Sequence, residues 1–126
     1  MVLPSRALDD RPDPGAVLTR AALRAAALLG LTARELAGVL GLSEPTVSRM
    51  KSGGYCLDEA SKSFELAALF VRLFRSLDAI TGDAATARAW IRAENTALGG
   101  KPVDKIATIA GLTDVVAYLD ARRAPL

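Results

Sequence analysis

The stretch from Thr32 to Met50 constrains this chain more than any other, because it sets two short helices and the turn between them. Thr32 followed three residues later by Glu35 is a capping box, in which each side chain satisfies a free backbone donor of the other at a helix start. Gly41 offers a stop that needs no β-carbon. Ser43 caps the next helix, and Pro45 falls in its first turn, where a missing N–H costs nothing. Leu36, Ala37 and Leu40 point inward at helical spacing; Val47 and Met50 do so on the second helix, which Gly53-Gly54 ends. The small Ala37 lets the two helices cross closely, and Leu42 plugs the core after the turn. These choices together predict a helix-turn-helix.

The flanking sequence is helical too. Alanine and leucine dominate an apolar content of 51%, aromatics are 5%, and no strand-like alternation occurs, so the expected fold class is all-α. Met1 to Gly15, rich in Pro and charge, is expected as a mobile arm. A first helix is predicted from about Ala16 to Leu29, stopped by Gly30. A long helix is predicted over Asp58 to Ile80. From Phe64 onward it is apolar nearly all round, so it is central or covered by a partner chain. Asp83 caps a helix presenting Ala87, Trp90 and Ile91, and Asn95 to Pro102 is a loop. Val103, Ile106 and Ala110 suggest a short helix ended by Gly111. Thr113 then caps a last helix with Val115, Val116 and Leu119 inside. The organisation expected is an arm over 1–15, a helix-turn-helix unit over 16–63 and a second helical unit over 64–126.

Much chemistry is excluded. The chain has no histidine and one cysteine, Cys56. That removes Ser-His-Asp and Cys-His catalysis and a Cys/His zinc site within one chain. No pair of catalytic groups emerges, so the chain is expected not to be an enzyme and to need no cofactor. Gly100-Lys101 lacks the rest of a phosphate loop. The start lacks the apolar run of a signal peptide, and no run of about 20 apolar residues is free of charge. A cytoplasmic protein without a membrane partner is expected, with a lone reduced thiol. The net charge of +2 permits nucleic-acid binding without demanding it.

The second helix of the motif turns outward Glu44, Thr46, Ser48, Arg49, Lys51 and Ser52. Thr46 and Ser48 can reach bases or phosphates, Arg49 can pair bidentately with guanine, and Lys51 can neutralise a phosphate. The helix start at Thr32, with Arg34 beside it, can receive another phosphate. A plain helical hairpin with a solvated polar face would carry the same charges. Glu44 favours that alternative, since phosphates repel a carboxylate unless it accepts from cytosine N4.

The second half carries Trp90, Asn95, Leu98-Gly99-Gly100, Pro102, Gly111, Val115 and Leu119. Structural roles account for most of these: Trp90 as a core anchor, Asn95 as a loop brace, the glycines and Pro102 as a turn. The pattern, coming after a helix-turn-helix, resembles the Xre/MbcA/ParS antitoxins over roughly Leu18 to Arg123. The resemblance implies a Xre-like DNA-binding domain joined by a long central helix to a small helical toxin-binding domain. It implies as partner a RES-domain toxin that consumes NAD, inhibited by blocking of its active-site cleft, and operator DNA bound to repress the chain's own operon. By position, Trp90, Asn95, Leu98, Gly100 and Pro102 would build the toxin-binding fold. Asp120, Arg122 and Arg123 would approach the toxin with the segment Asp114 to Leu126. Simple solubility and the helix C-terminus also account for the two arginines. Family members often carry a glycine near the end of the last helix, where this chain has Ala121-Arg122-Arg123-Ala124-Pro125-Leu126.

The breadth of the central helix also suggests a homodimer within a larger toxin–antitoxin assembly. Two-fold symmetry would then set two recognition helices about 34 Å apart. Two other functions fit the residues: a stand-alone transcriptional regulator whose C-terminal part only dimerises, and an adaptor without DNA binding.

Overall fold

The computed structural model describes residues 13–123, so the expected arm lies, up to residue 12, outside the described residues, as does the tail 124–126. These residues form seven helices: α1 (Pro14–Leu29), α2 (Ala33–Leu40), α3 (Glu44–Lys51), α4 (Lys62–Thr81), α5 (Ala84–Arg92), α6 (Pro102–Lys105) and α7 (Ile109–Arg123). Among the described residues the single extended pairing is an isolated bridge between Asn95 and Gly100. The fold is all-α, as the sequence pattern predicts.

Local chemistry explains most boundaries. Asp13 accepts from the Ala16 N–H, so α1 opens at Pro14 and takes in Gly15, a residue that composition alone places in the arm. Gly15 is buried where the chain returns over it: the Thr19 hydroxyl donates to the Gly15 carbonyl at 2.6 Å and accepts from Leu57 N at 2.9 Å. That exchange ties the segment leaving α3 to the start of α1. The capping box forms as expected, with Thr32 N 2.9 Å from Glu35 Oε1 and Glu35 N 3.0 Å from Thr32 Oγ1. Gly41 comes after α2 at φ 67°, a conformation a β-carbon strains.

Three boundaries differ from expectation. The long helix starts at Lys62 rather than Asp58, because Ser61 caps it and Asp58 instead nucleates a turn, bonding Ala60 N through its side chain. The short helix after the loop is a single turn ending at Lys105, so Ala110 and Gly111 belong to the last helix. That helix is opened by Thr108, whose hydroxyl accepts from Gly111 N at 3.0 Å, and not by Thr113. Thr113 lies inside the helix and returns its hydroxyl to the Ile109 carbonyl.

The helix α4 is central. It packs against α1, α2, α5 and α7. Phe70, Leu73 and Leu77 are buried there with Leu29 of α1, Leu36 and Leu40 of α2, Ile91 of α5, and Leu112 and Leu119 of α7. Each such side chain contributes roughly 1.5–3 kcal/mol through burial. The core is therefore continuous from the helix-turn-helix to the last helix, and position 63/64 falls within the first turn of α4. Ile80, counted with the apolar run, is 42% exposed at the end of α4.

Candidate functional site: the recognition helix and the C-terminal face

Two buried side chains seat α3: Val47 at 0% and Met50 at 2% exposure. With that side fixed, Glu44, Pro45, Ser48, Arg49, Lys51 and Ser52 stand in solvent. Thr46 departs from the expected outward row. It is half-buried, and its hydroxyl is engaged by Ser43 Oγ at 2.8 Å and by the Arg49 guanidinium at 3.1 Å. Thr46 thus steers Arg49 rather than standing free beside it. Pro45, which the sequence suggests only as a helix starter, is an exposed apolar spot in the same first turn.

At the start of α2, Thr32 and Arg34 are exposed, but the site is more occupied than the sequence implies. Glu35 holds the Thr32 N–H and is gripped by Arg92 of α5, whose two terminal nitrogens lie 3.0 and 2.8 Å from its two oxygens. The same guanidinium donates to the Gly30 carbonyl at 2.7 Å, and Arg88 donates to the Leu28 carbonyl at 3.3 Å. Arg92 holds the Glu35 carboxyl down from 4.5 to about 2, with burial opposing and the Thr32 N–H helping. A phosphate approaching Thr32 would meet a carboxylate already neutralised by Arg92.

The C-terminal residues separate into two groups. Asn95, Leu98, Gly100 and Pro102 build a turn. The Asn95 and Gly100 backbones exchange both hydrogen bonds at 3.2 Å, the Asn95 side chain accepts from Leu98 N at 3.1 Å, and Pro102 is buried at the start of α6. Gly111 locks the passage from α6 into α7, because a β-carbon there would overlap the Lys105 carbonyl, 2.6 Å from its carbon. Their contribution is shape.

The second group lies on the two flanks of the buried stripe of α7. On the α4 flank, Asp120 pairs with Arg72 and accepts from the fully buried Ser76 hydroxyl at 2.8 Å, and Arg123 donates to Ser76 Oγ at 3.3 Å. Asp120, expected to approach the toxin, is thus committed inside the chain. On the α5 flank, Trp90 and Tyr118 stack with centroids 6.3 Å apart and planes 23° apart. The Arg122 guanidinium lies over the Tyr118 ring, 3.9 Å from its centroid. Trp90 is half-buried, packed against the core from its edge rather than within it. Sequence reasoning passes over Tyr118, although its spacing of four from Arg122 is that of neighbours on a helix.

Residues 9–72 match the model of the antitoxin Xre-like helix-turn-helix domain, slightly more than half of the chain. Residues 76–124 match the antitoxin Xre/MbcA/ParS C-terminal toxin-binding domain. The chain belongs to the Xre/MbcA/ParS antitoxins. No curated protein matches it. The exposed α3 row thus lies within the span matched to the antitoxin's helix-turn-helix domain, and α5 to α7 lie within the span matched to its toxin-binding domain. Among the described residues no helix is long and apolar enough to cross a membrane.

Between α1 and α4 the antitoxin has a groove of about 710 Å³, lined by Val17, Leu18, Phe64 and Val71 together with Arg72, Arg75 and Arg123. Val17 is 42% exposed beside it.

Proposed function

We propose that the antitoxin neutralises a RES-domain, NAD-consuming toxin by covering its active-site cleft with the α5–α7 face, and represses its own operon through α3. The protein would act in the cytoplasm without a cofactor. The observation that carries this reading is the union, in one continuous core, of an exposed polar row on α3 with a C-terminal unit matched to the toxin-binding domain. Arg49 is the residue assigned to base reading, bidentate to a guanine, held in place by Thr46. Ser48, Lys51 and Ser52 contact phosphates or base edges beside it, and Pro45 offers an apolar touch for a thymine methyl. Glu44 fits a cytosine N4 in the same row. Arg34 and the Thr32 end of α2 meet the backbone of the duplex. On the toxin side, Arg122 is the outward cation. Asn95, Leu98, Gly100 and Pro102 hold the surface, while Asp120 and Arg123 fix α7 on α4.

We also assign the groove between α1 and α4 to a second copy of the chain, which would pair two recognition helices about 34 Å apart.

Two assays test these readings. Co-expression with the toxin of the adjacent reading frame should restore growth; growth arrest in its presence would overturn the assignment of that toxin. In a gel-shift assay on the upstream region of the operon, Arg49→Ala should weaken binding by about 1–3 kcal/mol. Equal binding by both forms would remove Arg49 from base reading.

A further inference from the structure

We propose that the Trp90–Tyr118–Arg122 stack is the energetic centre of the toxin contact, with Tyr118 positioning the Arg122 guanidinium for a carboxylate on the toxin. The inference rests on the antitoxin reading above and names the residues and the partner group at that site.

The two tail arginines look equivalent in sequence and are not equivalent in space. Arg123 donates to the buried Ser76 hydroxyl, beside the Asp120–Arg72 pair, so it serves the α4–α7 junction. Arg122 lies over the Tyr118 ring, and among the described residues it forms no ion pair. A guanidinium carries five donors in one fixed plane, and a ring face engages its charge without taking those donors as hydrogen-bond partners. Those donors suit a carboxylate taken in two parallel hydrogen bonds. A free arginine loses rotamer freedom when a partner immobilises it. Stacking removes part of that loss before the partner arrives, which is what preorganisation means at an interface.

Tyr118 is in turn stacked on Trp90, from another helix. The ladder therefore runs from a half-buried indole through a half-buried phenol to an exposed cation. Trp, Tyr and Arg are the residue types enriched where binding energy concentrates, and a desolvated base with a charged tip is the arrangement in which they are effective. Every rung lies within residues 76–124, the span matched to the toxin-binding domain, so the occupant is the toxin. The cation at the outer rung requires the toxin to present an acidic group there.

The test is a double-mutant cycle on the full chain, reading affinity for the purified toxin of the adjacent reading frame, with operator binding as a control for folding. Arg122→Ala and Tyr118→Leu should each weaken toxin binding about 10- to 30-fold. The double variant should lose little beyond either single one, because the phenol acts through the guanidinium. Tyr118→Phe, which keeps the ring, should stay within about threefold of the unaltered chain. Operator binding should not change. Additive losses, a Tyr118→Phe as weak as Tyr118→Leu, or an unaffected Tyr118→Leu would overturn the positioning role while leaving the antitoxin reading intact. Loss of operator binding in Arg122→Ala with toxin affinity retained would reassign the cation to DNA. An unaltered chain that does not bind this toxin overturns both readings.

Discussion

The helix-turn-helix half and the C-terminal half close their helices by different means. In the first, the boundaries of α2 and α3 are set by residues three or four positions away: Thr32 with Glu35, Ser43 with Thr46, and Gly41 in a left-handed conformation after α2. In the second, the deciding neighbour is often a different segment. Gly111 sits in a helix, and what demands it is the Lys105 carbonyl passing over it. Ser76 and Asp120 join α4 to α7, and Trp90 and Tyr118 join α5 to α7. A DNA-reading helix needs exposed side chains on a scaffold that shapes itself. The face made by α5 and α7 is instead assembled by contacts between segments distant in the chain.

The sharpest way to break that comparison is to add one methyl group in each half. Gly111→Ala should cost about 3 kcal/mol or more, because the new carbon overlaps backbone that cannot give way. Gly41→Ala should cost about 1–2 kcal/mol, the strain of a positive φ with only the end of the Leu66 side chain nearby. Thermal melts of the two variants rank them; equal losses would dissolve the distinction. Next in size is Asp120→Ala, which strands the buried Ser76 hydroxyl and frees Arg72. A loss of about 1–2 kcal/mol is expected, most of it from the buried hydroxyl because Arg72 is well exposed to screening solvent. DNA affinity should hold, since α3 shares no contact with this junction.

The smallest effect concerns the ion pair by which Arg92 of the C-terminal half holds Glu35 of the helix-turn-helix half. The Glu35 carboxyl is depressed from 4.5 to about 2 by Arg92. A depressed acid lends stability that is fully present above its unfolded value and vanishes as pH falls through the folded one. The unaltered chain and Glu35→Gln should therefore differ in melting temperature at pH 6 and converge between about pH 4.5 and 2. With Arg92 at 41% side-chain exposure the difference should be about 1 kcal/mol. A gap independent of pH would mean the pair adds nothing beyond packing.

The same division explains what is legible in the sequence. The caps of α2 and α3, the inward residues and the outward Arg49 come from short-range rules, and the structure agrees with them. Gly111 reads as a stop because glycine so often is one. Its requirement comes from the crossing of Lys105, which no spacing encodes. Thr113 looks like a cap because threonine caps helices, yet Thr108 lies where the turn actually ends. Asp120 carries a charge whose partners, Ser76 and Arg72, are brought beside it only by the packing of α4. The resemblance of Trp90 to Leu119 to a toxin-binding pattern is legible; the stacking of Trp90 on Tyr118 is not, since it depends on how α5 and α7 cross.

One nine-residue helix reaches both halves. Along α5, Arg88 and Arg92 fall on one side of the buried Ala87–Ile91 stripe and Trp90 on the other. The first side clasps the carbonyls of Leu28 and Gly30 and the carboxylate of Glu35; the second backs the aromatic stack. A rotation of this rod by a few degrees would move the indole and loosen the clasp together. Occupancy of one partner would then be felt by the other, with equal strength in both directions, as linkage requires of any two sites that share a moving part.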